Sequence, residues 1–250
     1  MQFRATLAIV ALAVSPMALA VSPSEIGDEF DDWEGEGEVG VLITSGNTEE
    51  TNINGRLGLT HEVAEWRNTG DFRSTYSESD DTTTAEKYSA EVQSDYKFEG
   101  SQYWFVRGAY EDDRFSGYDF QSSLTTGYGN RVWQRGERSF LDLSVGGGYR
   151  FNRLEEPEAD GNQEEEEAIA RLAGKFDYAL SENALFRQKL STEIGLSENN
   201  TISESETSIQ ATVVGNLSMK AAYLVQHVSD EPAGADDTDT QVSVSLLYGF

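Results

Sequence analysis

From Trp33 onward one pattern dominates the chain: long segments in which apolar and polar residues alternate one by one. In an extended strand, successive side chains point to opposite faces, so such a segment presents one apolar and one polar face. "WEGEGEVGVLI" sets Val39, Val41 and Ile43 against Glu34, Glu36 and Glu38, and "TNINGRLGLTHEV" sets Ile53, Leu57 and Leu59 against Asn52, Asn54 and Arg56. "EKYSAEVQSDYKF", "FLDLSVGGGYRF" and "AIARLAGKFDYAL" repeat the pattern, as do stretches near 67–78, 103–112, 120–133, 185–197, 206–217, 219–229 and 239–250. The count is about twelve strands, an even number, as in bacterial single-chain outer-membrane barrels.

Two architectures suit such strands. A soluble sandwich or lipocalin-like barrel buries its apolar faces, whereas a membrane barrel turns them towards lipid and its polar faces into the lumen. Soluble strands run to about 5–6 residues and tilted membrane strands to about 9–11. These segments are long. The connections discriminate further, because short links alternate with longer or more acidic ones. The short ones are Ala64–Trp66, Glu99–Ser101, Gln134–Gly136, Ser181–Asn183 and Leu217–Ser218. The others are "SGNTEE", "SDDTTTA", "DDRFSGYD", "LEEPEADGNQEEEE", "SENNTISES" and "SDEPAGADD". Short periplasmic turns opposite longer external loops are the outer-membrane pattern.

Aromatic placement agrees. Trp33, Trp66, Trp104 and Trp133 fall at the short-turn end, and Tyr76, Tyr110, Phe120, Tyr149 and Phe151 towards the long-loop end, as interfacial girdles require. Pro157 and Pro232 lie in external loops. Alternation in "QVSVSLLYGF" runs through Tyr248 to Phe250, and a strand of this kind stays ordered only if another strand pairs it. Closure of β-structure onto the first strand supplies that partner. The expected fold is therefore all-β: a single closed antiparallel transmembrane β-barrel over residues 33–250.

The first twenty residues, "MQFRATLAIVALAVSPMALA", carry a basic start, an apolar stretch and Ala18-Leu19-Ala20. This reads as a signal peptide over 1–20, followed by an acidic N-terminal tail over 21–32. The chain contains no cysteine, which removes disulfides and thiolate sites. Its formal net charge of −27 argues against nucleic acid as a partner. Such acidity suits a saline, halophilic or marine habitat, where short Debye lengths weaken repulsion.

"SGNTEETNINGRLGL" (Ser45 to Leu59), "YEDDRFSGYDFQSSLTTGYGNRVW" (Tyr110 to Trp133) and "DTDTQVSVSLLYGF" (Asp237 to Phe250) resemble the YdiY-like family of salt-induced outer-membrane proteins, whose domain has no assigned function. The resemblance covers nearly all of the chain after the signal peptide; the Glu155–Glu167 stretch departs from it. It implies a Gram-negative outer-membrane barrel among lipid and lipopolysaccharide, with a link to salt or osmotic response in name only. It also implies that the strand ending in Phe250 is read by the barrel assembly machinery. It offers no catalytic residues.

Charged residues on the inward faces are the candidate functional set. Glu34, Glu36, Glu38, Asp71 and Glu91 are expected to line the lumen with Arg56, Arg73, Lys87, Arg107 and Arg131. Asp95, Asp142, Asp177 and Glu193, with Lys97, Arg150, Arg171, Lys175, Arg187 and Lys189, complete that lining. Long side chains of both signs in a barrel of about twelve strands either border a narrow channel or bridge it shut, and both readings stay open here. Asp112, Asp113, Arg114, Tyr118 and Asp119 are expected to form an external loop in which Arg114 pairs with carboxylates at the rim.

The acidic runs Glu155–Glu167 and Asp236–Asp239 offer oxygen ligands for divalent cations but lack the spacing of a calcium loop. They are read as solvated, mobile charge runs. A surface protein that binds cations or lipopolysaccharide is therefore the alternative to a porin-like or structural barrel. Hydrolysis ranks third, because His61 and His227, the only histidines, fall at opposite ends of the barrel. No cofactor and no enzymatic activity are expected.

Overall fold

The computed structural model describes residues 33–44, 50–80, 82–98, 100–157, 161–197, 200–230 and 237–250. The expected signal peptide and acidic tail lie outside the described residues, as do Ser45–Glu49 of the first loop, Asp81, Glu99 and residues 158–160, 198–199 and 231–236.

Twelve antiparallel strands close into a barrel. They are β1 Trp33–Thr44, β2 Glu50–Glu62, β3 Trp66–Ser79, β4 Thr82–Lys97, β5 Gln102–Asp113 and β6 Tyr118–Gln134. Then follow β7 Phe140–Leu154, β8 Glu164–Ala179, β9 Ala184–Gly195, β10 Thr201–Val214, β11 Leu217–Val228 and β12 Thr238–Gly249. Each strand pairs with the next, and β12 returns to β1 through Glu36–Val39 against Leu246–Gly249. Reciprocal backbone bonds between Gly35 and Phe250, at 2.7 and 2.9 Å, extend this seam. The Phe250 ring lies over Gly35, filling the place a side chain there would need.

The alternation of the sequence is realised inside out. Val92 and Val242 are 63% and 76% exposed on the outer wall, while Asp95 and Asp177, pointing inward, are 1% and 3% exposed. A soluble domain would bury the first pair and expose the second. Val39, Leu57, Phe72, Leu124, Val145 and Leu246 continue the apolar outer belt. Trp33, Trp66, Trp104 and Trp133 all project from the short-turn end, with Trp66 tilted against Tyr96 and Trp133 against Phe176. Tyr110 stacks on Phe120, and Tyr149 on Phe151, near the other end.

Several strands reach further than the alternation suggests. β4 begins at Thr82, so most of "SDDTTTA" is strand. β8 begins at Glu164, placing the last four residues of the Glu155–Glu167 run in the wall rather than in a mobile loop. β10 begins at Thr201 and ends at Val214, and the turn into β11 is Gly215-Asn216 instead of Leu217-Ser218. Gly215 takes φ +53°, a conformation that costs glycine little, and this sets the turn one step earlier. Where a lumen is polar, strand ends and loops share a composition, which is why alternation alone truncates these strands.

A charged lattice across the barrel lumen

At the short-turn end, Arg67 Nε donates to Asp95 at 2.8 Å and Gln93 donates to the other carboxylate oxygen at 2.8 Å. Arg131 grips Asp142 with two bonds of 2.7 and 3.1 Å, and Arg187 grips Asp177 at 2.8 and 2.7 Å. Phe140, also inward, lies beneath the Arg131 guanidinium at 4.0 Å and near the Lys175 ammonium at 5.3 Å. Bidentate geometry of this kind holds both partners rigidly.

Halfway up, Arg56 donates to Asp71 at 2.7 Å and lies 3.6 and 3.9 Å from Glu36 and Glu38. Arg73 takes the other Asp71 oxygen at 2.9 Å. Lys220 bridges Glu38 and Glu206 at 3.1 and 3.0 Å, with Lys189 3.9 Å from Glu206. Beside this group, Arg107 binds Glu91 at 2.7 Å, and Arg171 lies 3.6 Å from Glu193. Nearer the long-loop end, Lys87 pairs with Glu111 at 2.7 Å and Asp113 at 3.5 Å. Arg150 donates to Glu167 and to the Asn200 carbonyl, both at 2.8 Å.

Some of these contacts join strands that are not neighbours. Arg107 on β5 donates to Glu193 on β9 at 2.9 Å. Arg73 on β3 donates to Glu204 on β10 at 3.3 Å and lies 3.5 Å from Glu206. Gln226 on β11 accepts from Lys87 on β4 at 2.7 Å and donates to Glu111 on β5 at 3.3 Å. In a ring of twelve, β5 and β11 face each other across the centre. The side chains therefore span the lumen from wall to wall.

Every residue expected to line the lumen points inward; Glu34 and Lys97 do so at the short-turn rim, where Glu34 is exposed. Arg67, Glu111, Asp113, Glu167, Glu204, Glu206 and Lys220 belong to the same lattice and were missed by the sequence reading. The signal was available for three of them, since Glu111 and Asp113 share the parity of Arg107, and Lys220 alternates with Met219 and Ala221. Among the described residues, the remaining lysines and arginines (Lys97, Arg114, Arg135, Arg138 and Arg153) sit at the rims or on the outside.

Half of the expected external loop at 112–119 is strand. Asp112 and Asp113 close β5, while Tyr118, 2% exposed, and Asp119 open β6. Only Arg114 of the five stands in the turn, and it pairs with Glu86 at 2.8 Å, the rim contact expected of it. Asp113 caps the turn by accepting from the Phe115 amide at 3.0 Å, and Asp119 lies 3.7 Å from Arg153. In β8, Glu165 and Glu167 turn inward to Asn152 and Arg150, and Glu164 and Glu166 face out. Among the described residues, no three His, Asp or Glu side chains gather as a metal site would need. His61 packs on Trp33 at the short-turn end and His227 bonds Thr238 at the other end, so no dyad forms between them.

A closed, twelve-stranded antiparallel barrel with an apolar outer belt and a charged lumen defines an outer-membrane type of β-barrel protein. Within that class, the chain belongs to a family described as "Protein of unknown function, DUF481", whose signature matches residues 37–250. It is 28% identical over 222 residues to the uncharacterized protein YdiY of Escherichia coli (strain K12), covering 87% of this chain and 83% of that protein. Among solved structures, a NanC porin is similar with a TM-score of 0.48 at 12% identity, covering 87% of this chain and 97% of that one. The KdgM porin gives a TM-score of 0.41 at 16% identity, covering 87% and 99%. The translocator domain of the autotransporter NalP from Neisseria meningitidis gives 0.42 at 14% identity, covering 87% and 86%.

Proposed function

We propose that this protein is a narrow, porin-like barrel of the Gram-negative outer membrane, impermeable to larger solutes because ion pairs bridge its lumen. The observation that carries this reading is the wall-to-wall contact set: Arg107 to Glu193, Arg73 to Glu204, and Gln226 to Lys87 and Glu111. Residual passage is confined to water and small ions threading a lining of both signs, where neither cations nor anions are strongly favoured. On this reading the apolar outer belt faces phospholipid and lipopolysaccharide, and strand β12 is the element presented to the assembly machinery.

The test is to refold the full barrel into liposomes and planar bilayers. The expected result is small, discrete conductance steps with weak ion selectivity, and no liposome swelling in sugar solutions. Swelling at the rate of a general diffusion porin would overturn the reading.

A further inference from the structure

Most outward positions in the middle of the wall are aliphatic, aromatic or glycine. β9 and β10 are different. Their outward side chains include Gln188, Thr192, Ser203, Ser205 and Thr207, alternating with the inward Arg187, Lys189, Glu204 and Glu206. They form a lattice on the outer surface. Thr207 donates to Gln188 at 2.5 Å, Gln188 donates to Ser205 at 3.0 Å, and the Thr192 and Ser203 hydroxyls meet at 3.1 Å. Gln188 stands opposite Phe176, and Thr207 opposite Tyr223, so the lattice lies within the belt and not beyond it.

Two outward hydroxyls elsewhere turn back onto the wall: Ser122 donates to the Phe151 carbonyl and Thr126 to the Phe105 carbonyl. Ser205 instead accepts from Gln188, and its own hydroxyl proton has no acceptor among the described residues. Hydrocarbon offers no acceptor for it, and interhelical or interbarrel polar contacts are what membranes use to satisfy such groups. Relief on either side of the lattice is complementary. Towards β7 lies a groove of about 540 Å³ lined by Tyr128, Val132, Leu143, Leu172 and Leu190, with Gly174 in its floor. Towards β12, Met219 and Tyr223 project from β11, 49% and 47% exposed.

We infer that this face is the interface of a two-fold dimer of the barrel. Two copies standing parallel in one membrane are related by an axis along the membrane normal, and a C2 interface uses the same patch on both. With that axis beside β9, Met219 and Tyr223 of each copy enter the groove of the other. The two hydroxyl lattices then face one another and exchange hydrogen bonds. The inference rests on the barrel standing in a membrane, but not on whether its lumen conducts.

The chain has no cysteine, so single engineered thiols report cleanly. Ser205→Cys in outer membranes should form a disulfide-linked dimer on mild oxidation. Val92→Cys, outward on β4 at the opposite wall, should stay monomeric. Fractionation of the same samples checks location separately, so misplacement and lack of pairing read differently. The triple variant Gln188→Leu, Ser205→Ala, Thr207→Val, folded by gel mobility, should associate about tenfold more weakly in detergent, since polar contacts of this kind contribute about 1–2 kcal/mol. Equal cross-linking of the two thiols, undiminished association of the triple variant, or native mass spectra showing only monomers with a retained lipid would each overturn the dimer.

Discussion

Arg107 and Glu193 meet at 2.9 Å although β6, β7 and β8 separate their strands around the wall. The contact crosses the lumen, and Arg107 reaches back to Glu91 on β4 with its other terminal nitrogen at 2.7 Å. One guanidinium thus ties together two sides of the barrel. Removing it should both widen the passage and leave Glu193 short of a partner. Arg107→Ala is expected to raise single-channel conductance and to lower unfolding stability by about 3–5 kcal/mol, the usual cost of stranding one buried charge. The double variant Arg107→Ala, Glu193→Ala should conduct at least as well while recovering much of that stability, as urea titration of the refolded protein would show.

The seam makes a second prediction. Gly35 lies under the Phe250 ring, and their backbones exchange two hydrogen bonds. Gly35→Val places a side chain where the ring packs, so the folded, heat-modifiable band on a gel should diminish. Shortening the ring with Phe250→Ala in the same chain should restore part of it, provided the protein is refolded in detergent without assembly factors.

Inward glycines on the tightly packed β6–β7 pair should respond differently from glycines on the open wall. A Cβ at Gly148 would overlap the Leu124 carbonyl oxygen, while one at Gly55 meets nothing within 4 Å. Gly148→Ala should cost about 1–3 kcal/mol or block refolding, and Gly55→Ala should be nearly neutral. Parallel denaturant titrations of the two variants decide the point.

All four tryptophans project from one end of the barrel. Lipids brominated near the headgroup should therefore quench tryptophan fluorescence more strongly than lipids brominated near the chain terminus. A reversed order would contradict the girdle.

Strand number, strand direction and the parity of short and long connections were legible in the sequence, because each depends on local alternation and turn residues. So were the inward faces of β2, β3 and β9, where Arg56, Arg73 and Lys189 stand out among polar neighbours. Strand limits were less legible. The Glu164–Glu167 and Thr201–Ser205 stretches look like loops by composition, yet both continue the wall as β8 and β10. A polar lumen removes the contrast that marks the end of a strand in a soluble protein.

Alternation, read with strand length, the parity of short and long connections and the placement of aromatics, determined that the chain forms a barrel with its apolar side outward and its charges inside. Each side chain's face follows from its parity along one strand, a property of nearest neighbours in the chain. Only the tertiary structure decided which charges meet. Arg107 finds Glu193, and Arg73 finds Glu204, because closure, strand tilt and register bring distant strands to the same height across the lumen. Those quantities are set by the whole ring of pairings and are written in no single segment of it.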